Sequence, residues 1–287
     1  MVLNVRQKQI DAVVKLLHFN QPPSGVKADN STGTYKVLIL DKFSKDLLSP
    51  LLHVNDLRKH GVTLHLGIEA VRQPISEVPA VYLVQPTQAN VAAIVADTEK
   101  ELYEQMYINF VPAVPHNLLE ELAEGVVKTP NGAGRIAKVF DQYLAFVALE
   151  KNLFSLSMPR CYAELNDPSA RDTEIEATVS TVVDGLFSVF LTLGAVPIIR
   201  CPKGGAPEHI AAALDAKMRD ALKLRNNLFS EASSGLVASI ARPLLVLFDR
   251  DFDLSVAVQH TFSYKPLVQV IACALLLCCW HNSRIWS

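Results

Sequence analysis

Cysteine is scarce in this sequence, which has five cysteines among its 287 residues. Cys161 and Cys201 lie far apart and show no metal-ligand spacing, while Cys273, Cys278 and Cys279 crowd together near the end. Because disulfide frameworks and zinc sites need cysteines at regular spacings, neither is predicted. The N-terminus also lacks the apolar core of a signal peptide. Together these absences favour a reduced, cytosolic setting.

An excess of charge of one sign is missing too, since 27 Lys and Arg face 29 Asp and Glu for a net charge of −2. Nucleic-acid binding needs clustered Lys and Arg that neutralise phosphates, so a nucleic acid is not expected as the main partner. Apolar residues, by contrast, make up 50% of the chain. This length and composition are sufficient for two α/β domains.

Short apolar runs alternate with helical patterns along the chain. The predicted helices cover 5–19, 47–59, 88–103, 115–125, 135–140, 172–193 and 208–224, and the predicted strands cover 35–40, 62–68, 80–85, 106–110, 196–201 and 243–249. Residues 21–34 are rich in Pro, Ser, Gly and Asn and are predicted to form a loop. Near-continuous apolar strands that alternate with helices predict a parallel sheet covered on both faces.

The composition changes near residue 150, which marks a plausible domain boundary. The predicted fold class is therefore α/β, with an N-terminal parallel-sheet domain and flanking helices over 1–150. An incomplete second α/β domain follows. A single open sheet that continues past residue 150 is the alternative that this pattern leaves open.

One segment resembles an enzyme motif. The apolar strand that ends in Asp249-x-Asp251 is typical of phosphatases that use an aspartate nucleophile, a second aspartate as general acid and a bound Mg²⁺. Such enzymes continue with Ser/Thr, Lys and further acidic groups, but few residues remain here, and Asp253 stands where a small or hydroxylated residue is usual. The pattern favours a solvated strand end, and a Mg-dependent phosphatase is kept as the alternative function.

Other chemistry-bearing patterns are weak. Residues 201–208 follow a predicted strand and contain two glycines and Lys203, yet they match neither a Walker loop nor GxGxxG, so an ordinary turn is favoured over an anion site. None of the eight histidines forms an HxxxH or HExxH pair, and there is no G-x-S-x-G elbow. No catalytic residue, cofactor or metal is predicted.

Two short apolar faces are candidates for a binding surface. On the predicted helix 115–125, Leu119, Leu122 and Ala123 share one face, and Ile136 and Val139 are again three residues apart. Two such faces joined by a polar loop could form a groove for an amphipathic peptide. The alternative is that both faces pack on the sheet, and the pattern alone favours that alternative.

Several blocks of sequence resemble one family. Residues 35–44, 48–51 and 57–64 are similar to the opening of SM proteins, the Sec/Munc-type regulators of SNARE assembly, and most similar to the Sly branch that serves ER–Golgi traffic. Further similar blocks are 78–87, 139–144, 192–201, 242–250 and 264–268. The resemblance covers about residues 3–269 in order, and its blocks are specific.

The resemblance implies a binding protein and not an enzyme. In the family, a groove on the first domain binds the N-terminal peptide of a syntaxin-type Qa-SNARE. In the Sly branch this groove lies on the segment matched here by Leu119, Leu122, Ala123, Ile136 and Val139. The implied function is regulation of SNARE assembly in vesicle docking and fusion between ER and Golgi. Other SNAREs, a Rab GTPase or a tether are left open as further partners, and membrane association is expected through SNAREs only, at the cytoplasmic side of Golgi and ER membranes.

The chain departs from the family pattern after Gln269. The resemblance implies that 151–263 form the first part of the second domain and that 264–287 begin the helical third domain. Instead of the family sequence, an apolar run follows at 270–280. It is shorter than the roughly 20 apolar residues of a membrane span. We therefore expect a truncated family member with an aberrant C-terminal end.

Overall fold

The structure is a computed structural model that describes residues 4–20, 35–223 and 242–249, together with Ser255, Gln259 and Ser263. The chain divides into two compact units, residues 1–247 and residues 248–287. Almost all of the second unit lies outside the described residues, and so does the predicted loop 21–34. The elements below belong to the first unit.

A five-stranded parallel sheet forms the centre of this unit, with strand order β2–β1–β3–β4–β5. Its strands are β1 (Lys36–Leu40), β2 (Val62–Gly67), β3 (Ala80–Val84), β4 (Met106–Phe110) and β5 (Ile136–Asp141). The inner strands β1 and β3 are buried at every residue, which is typical of a parallel sheet covered on both faces. The predicted α/β fold with a parallel sheet is therefore confirmed.

Helices precede and connect these strands. They are α1 (Val5–Leu17) before the sheet, α2 (Lys42–Leu48) and α3 (Val54–Lys59) between β1 and β2, α4 (Gln88–Glu99) between β3 and β4, and α5 (His116–Lys128) and α6 (Gly132–Arg135) between β4 and β5. Local sequence sets where they begin. The Asp41 carboxylate accepts the Ser44 N–H and caps α2, and the Thr87 hydroxyl accepts the Asn90 N–H and caps α4.

Alternate residues of the strands enter two separate hydrophobic cores. On one face, residues such as Leu38 pack with Leu16 of α1 and with α2. On the other face, Ile39 packs in a core that includes Ile94 of α4 and Leu122 of α5. Because successive side chains of a strand point to opposite faces, one apolar strand supplies both cores. Helices α4 and α5 therefore cover the same face of the sheet.

The remainder of the first unit forms a second α/β region. Its elements are β6 (Val147–Glu150), β7 (Leu153–Ser155), α7 (Cys161–Asn166), α8 (Asp172–Leu193), β8 (Ile198–Arg200), α9 (Gly205–Lys223) and β9 (Leu244–Val246). β6 and β7 form an antiparallel hairpin, whereas β8 and β9 pair in parallel. α8 and α9 pack together around a third core that includes Phe187 and Leu214.

Among the described residues, α8 is the one helix long and apolar enough to cross a membrane, judged by length and composition. Half of its most apolar stretch is buried inside the structure. α8 packs against α1, α7 and α9, and its side chains build the third core. We therefore interpret it as a core helix.

The domain boundary predicted near residue 150 falls at the end of β6, within the β6–β7 hairpin. The Lys151 carbonyl in the hairpin turn accepts the Val5 N–H at 2.8 Å, and the Gln9 side chain bonds the Phe146 carbonyl and the Ala148 N–H. The hairpin is thus tied to α1. The division into 1–150 and 151–263 stays a prediction, and the segment 264–287 lies outside the described residues.

Five predicted helices have different bounds in the structure. α1 ends at Leu17 instead of residue 19, and α9 begins at Gly205 instead of residue 208. The predicted helix 47–59 is two helices, α2 and α3, because Pro50 lacks an N–H and interrupts the turn between them. The predicted helix 88–103 ends at Glu99, followed by Glu101 with a left-handed φ of 52°. The predicted helix 115–125 continues through Gly125 to Lys128. A Cβ on Gly125 would lie 2.7 Å from Val95 of α4, so glycine here permits close helix packing.

A buried lysine joins the end of α1 to the start of β1. Lys36 is 3% exposed, and its ammonium donates to the Leu17 carbonyl at 2.6 Å and lies 4.6 Å from the Phe19 ring centroid. Burial lowers the pKa of Lys36 to about 8. His18 and His60 lie beside it, 3.2 Å apart between ring nitrogens, and burial and then the Lys36 charge lower the pKa of each.

The low pKa of Lys36 predicts a stability that rises with pH. Between pH 8 and 10.5 the unfolded lysine holds its proton and the folded one loses it, so the unfolded state binds more protons and the free energy of unfolding rises. From pH 7 to pH 9.5 the parent should gain about 2 kcal/mol relative to Lys36→Met. Urea unfolding of both proteins across this range measures the difference. An unchanged difference would mean that Lys36 has an ordinary pKa.

Candidate functional site

Helix α5 carries three of the five residues predicted to bind a partner. It begins after Pro115, whose ring suits a helix start, and it buries Leu122 and Val126 in the core beneath it. Leu122 is only 2% exposed. The expectation that Leu122 lines an open groove is therefore corrected, because its side chain faces the sheet.

The adjoining side of α5 presents apolar side chains to solvent. Leu119 is 36% exposed, Ala123 is exposed, and Val127 is 75% exposed. These residues are at i, i+4 and i+8, so they form one line along the helix, which we call the α5 stripe. Val127 is not among the predicted site residues, although its spacing from Leu119 and Ala123 was the available signal.

Carboxylates flank the α5 stripe. Glu120, Glu121 and Glu124 are all exposed. Glu120 lies 3.2 Å from the His116 ring, and Glu124 lies 3.8 Å from the Lys128 ammonium. Exposed pairs of this kind contribute little to stability, so the carboxylates can exchange partners at low cost. The surface around the stripe is apolar with an acidic margin.

The structure places Ile136 and Val139 on strand β5, and the predicted helix over 135–140 is wrong. Ile136 pairs with Met106 and Val139 pairs with Ile108, with one extra residue on β5 between the two pairs. Such a bulge lets residues three apart face the same side of a sheet. The spacing of three residues between Ile136 and Val139 therefore suggested a helix. Both residues are β-branched, however, and next to β4 they form a strand.

Ile136 and Val139 are half-buried and pack against the core that contains Leu122. The strand that carries them follows Arg135, the last residue of α6, whose guanidinium donates to the Tyr103 carbonyl at 2.9 Å and pairs with Glu101 at 2.8 Å. The structure thus brings all five predicted residues to the same side of the sheet. Leu119 and Ala123 are exposed, Ile136 and Val139 half-buried, and Leu122 buried.

Strand β5 ends the order of the five-stranded sheet. Within the part of the chain that the structure describes, its outer edge pairs with no further strand. An edge of this kind offers backbone N–H and C=O groups to an extended peptide. The apolar line on α5 and the free edge of β5 belong to the same end of the sheet.

The residues of the alternative function are only partly described. Asp249 is half-buried and follows β9, while Asp251 lies outside the described residues. Among the described residues there is no group of three or more His, Cys, Asp or Glu that could hold a metal ion. In the glycine segment, the Gly204 N–H donates to the Glu208 carboxylate at 2.6 Å, which is an internal cap of α9 and fits the turn interpretation.

Comparison with known proteins identifies the family. The model of the Sec1 family matches residues 36–270. The chain belongs to the Sec1 family. Among curated relatives, the SEC1 family transport protein SLY1 of Arabidopsis thaliana is 51% identical over 270 residues, which cover 93% of this chain and 42% of the relative. Sec1 family domain-containing protein 1 of Homo sapiens is 44% identical over 273 residues, which cover 92% of this chain and 42% of the relative. The resemblance to the Sly branch is confirmed.

Solved structures of this family share the fold. The crystal structure of Sly1p in complex with an N-terminal peptide of Sed5p matches with a TM-score of 0.79 and 37% identity, covering 92% of this chain and 44% of Sly1p. The SM protein Vps45 in complex with the Qa SNARE Tlg2 matches with a TM-score of 0.72 and 20% identity, covering 92% of this chain and 42% of Vps45. The second match shows the fold alone.

The chain spans about two fifths of the length of the curated relatives it matches. Neither the description of the family nor the names of these relatives refer to a phosphatase, and the relative from Arabidopsis thaliana is named as a transport protein. The alternative based on Asp249 and Asp251 therefore gains no support from the comparisons.

Proposed function

We propose that this chain binds the N-terminal peptide of a syntaxin-type Qa-SNARE and thereby regulates SNARE assembly in vesicle docking and fusion between ER and Golgi. The observation that carries the proposal is the similarity to Sly1p, which is 37% identical and was solved with an N-terminal peptide of Sed5p. The exposed α5 stripe and the open edge of β5 lie on the domain that the resemblance assigns to peptide binding.

The geometry supports distinct roles for the five residues. Leu119 and Ala123 contact an apolar anchor of the peptide from the α5 stripe, and Ile136 and Val139 extend this contact toward β5. Leu122 holds α5 on the sheet from below and does not touch the peptide. Because the margin of the stripe is acidic, a peptide with Lys or Arg next to its anchor is favoured.

The proposal also includes the kind of activity, the location and the further partners of the chain. The chain acts as a binding module without catalysis or a cofactor, at the cytoplasmic face of Golgi and ER membranes, and it reaches the membrane through SNAREs. Other SNAREs, a Rab GTPase or a tether are further proposed partners. These assignments rest on the family, since the chain spans only part of the relatives' length.

Leu119→Lys should weaken peptide binding while the fold stays intact. The substitution removes apolar contact worth roughly 1.5–3 kcal/mol, which corresponds to at least about a tenfold weaker Kd. Since Leu119 is already 36% exposed, the new ammonium can reach solvent in the free protein. The measurement is fluorescence anisotropy of a labelled N-terminal peptide of Sed5p, with thermal melting of each variant.

A matched control is Leu64→Lys, because Leu64 is 45% exposed on β2 at the opposite end of the sheet. It introduces the same charge and should bind the peptide like the parent. A folded Leu119→Lys variant with the parent's affinity would remove the α5 stripe from the site. Equal losses in both variants would indicate a nonspecific effect of charge.

A further inference from the structure

Helices α8 and α9 enclose a groove that the proposed function does not use. It has a volume of about 650 Å³ and is lined mainly by residues of these two helices, with Leu165 of α7 at one side. Its floor includes Val183, which is 4% exposed. The groove lies entirely within the first compact unit.

The floor of the groove is apolar and runs along α8. Ile175, Val179 and Val183 follow one another at i, i+4 and i+8, so they form one line over about 12 Å of helix. Across from them, α9 contributes the small side chains of Ala206 and Ala213. Because small residues face branched ones, a space remains between two helices that otherwise pack closely.

The rim of the groove has unpaired negative charge. Glu176 and Asp172 are exposed and line the groove, and within the described residues neither makes an ion pair or a side-chain hydrogen bond. Asp184 is already bound by Lys217, whose ammonium lies 5.3 Å from the Phe187 ring centroid. Asp172 also favours the helix start through the helix dipole. Glu176, beyond the first turn, has no such structural role.

His209 of α9 also lines the groove, but the two carboxylates without a partner outnumber it. An apolar floor with such a rim fits a ligand that is both apolar and basic. The walls are helices whose backbone groups are hydrogen-bonded internally, so side chains must provide the recognition. An amphipathic helix lying along the groove would place apolar residues on Val179 and Val183 and a Lys or Arg beside Glu176. The charged rim stays solvated in the free chain, which suits a reversible interaction.

We propose that the α8–α9 groove binds an amphipathic helix of a partner protein, with apolar side chains on the floor and Lys or Arg at the rim. This site is separate from the α5 stripe, since no residue lines both. It gives the chain a second docking surface for a helical partner.

The probe is a designed, fluorescein-labelled helix of about five turns, with Leu along one face and Lys on both sides of it. A second peptide replaces every Lys by Glu. Anisotropy with the full chain should show binding of the Lys peptide and at least about tenfold weaker binding of the Glu peptide. Methyl NMR should show shifts at Ile175, Val179, Val183 and Ala213.

Two variants test the two features of the groove separately. Glu176→Lys reverses the rim charge, and Ala213→Phe fills the floor from an exposed position of α9. Each should weaken binding of the Lys peptide at least about tenfold. The matched controls are Glu104→Lys and Ala212→Phe, which make the same changes at exposed residues outside the groove. Both controls should bind like the parent.

The Leu119→Lys variant separates this proposal from the proposed function, because it should bind the designed helix with unchanged affinity. The groove proposal is overturned if Glu176→Lys and Ala213→Phe bind like their controls. It is equally overturned if the NMR shifts fall on other acidic surfaces of the chain. Loss of binding in Leu119→Lys would show that the probe occupies the α5 stripe instead.

Discussion

Leu122→Lys should unfold most of the protein, in contrast to Leu119→Lys three residues earlier on the same helix. Leu122 is 2% exposed and belongs to the core between the sheet and α4 and α5. Removing a buried leucine side chain costs about 3–5 kcal/mol, and an ammonium placed there loses its hydration as well. Since whole domains are stable by roughly 5–15 kcal/mol, this loss is a large share of the total.

Urea unfolding followed by circular dichroism measures the effect. Leu122→Met is the matched control, because a swap of similar volume costs less than about 1.5 kcal/mol. Leu119→Lys should unfold within about 0.5 kcal/mol of the parent, as surface substitutions do. A Leu122→Lys protein with the parent's midpoint would mean that this side of α5 is open to water, and Leu122 would return to the peptide site.

The contrast between these two leucines shows where sequence reasoning about α5 succeeded and where it did not. The spacing of Leu119, Leu122 and Ala123 predicted the helix and a shared apolar side. When such a helix packs on a sheet, only part of its apolar side is buried and the rest is exposed to solvent. Which residues are buried depends on how α4 and the sheet are placed. Gly125 decides how closely α4 approaches, and no spacing pattern contains that distance.

Sequence-based prediction was also limited for strands whose pairing partners are distant in the sequence. The inner strands β1 and β3 were predicted closely because each contains a continuous run of at least four apolar residues. β5 was predicted as a helix because its bulge places Ile136 and Val139 three residues apart on one face. Only the pairing with β4, which is distant in sequence, distinguishes a strand from a helix here. By contrast, α8 was predicted with its observed bounds, since its long apolar helical pattern is contained in one continuous stretch of sequence.

Asp97→Ala should lower the free energy of unfolding by about 3–5 kcal/mol, the typical cost of removing one partner of a buried ion pair. Asp97 lies near the end of α4, and its carboxylate accepts from the Arg72 guanidinium at 2.9 Å and from the Tyr82 hydroxyl at 2.8 Å. Both side chains of the ion pair are 5% exposed. The alanine leaves a buried guanidinium without a counterion and a buried hydroxyl without an acceptor.

The pair itself need not stabilise the fold relative to apolar side chains. Burial raises the pKa of Asp97, although the Tyr82 hydroxyl and the Arg72 charge act in the opposite direction. The effect of desolvation on the pKa of Asp97 is therefore larger than the combined effect of its two partners. Two further nitrogens of Arg72 have no hydrogen-bond partner among the described residues, which adds to the cost of burying the guanidinium. Removing all three polar groups together should then cost much less than removing Asp97 alone.

A comparison of Asp97→Ala with the triple variant Arg72→Met, Tyr82→Phe, Asp97→Leu tests this reasoning. The triple variant should recover at least about half of the loss, because it leaves no buried charge unpaired. Asp97→Ala within about 1 kcal/mol of the parent would mean that water reaches Arg72. α4 packs against α5, which carries the α5 stripe. Below its melting temperature, Asp97→Ala should therefore still bind the Sed5p peptide, since the ion pair supports α4 without touching the stripe.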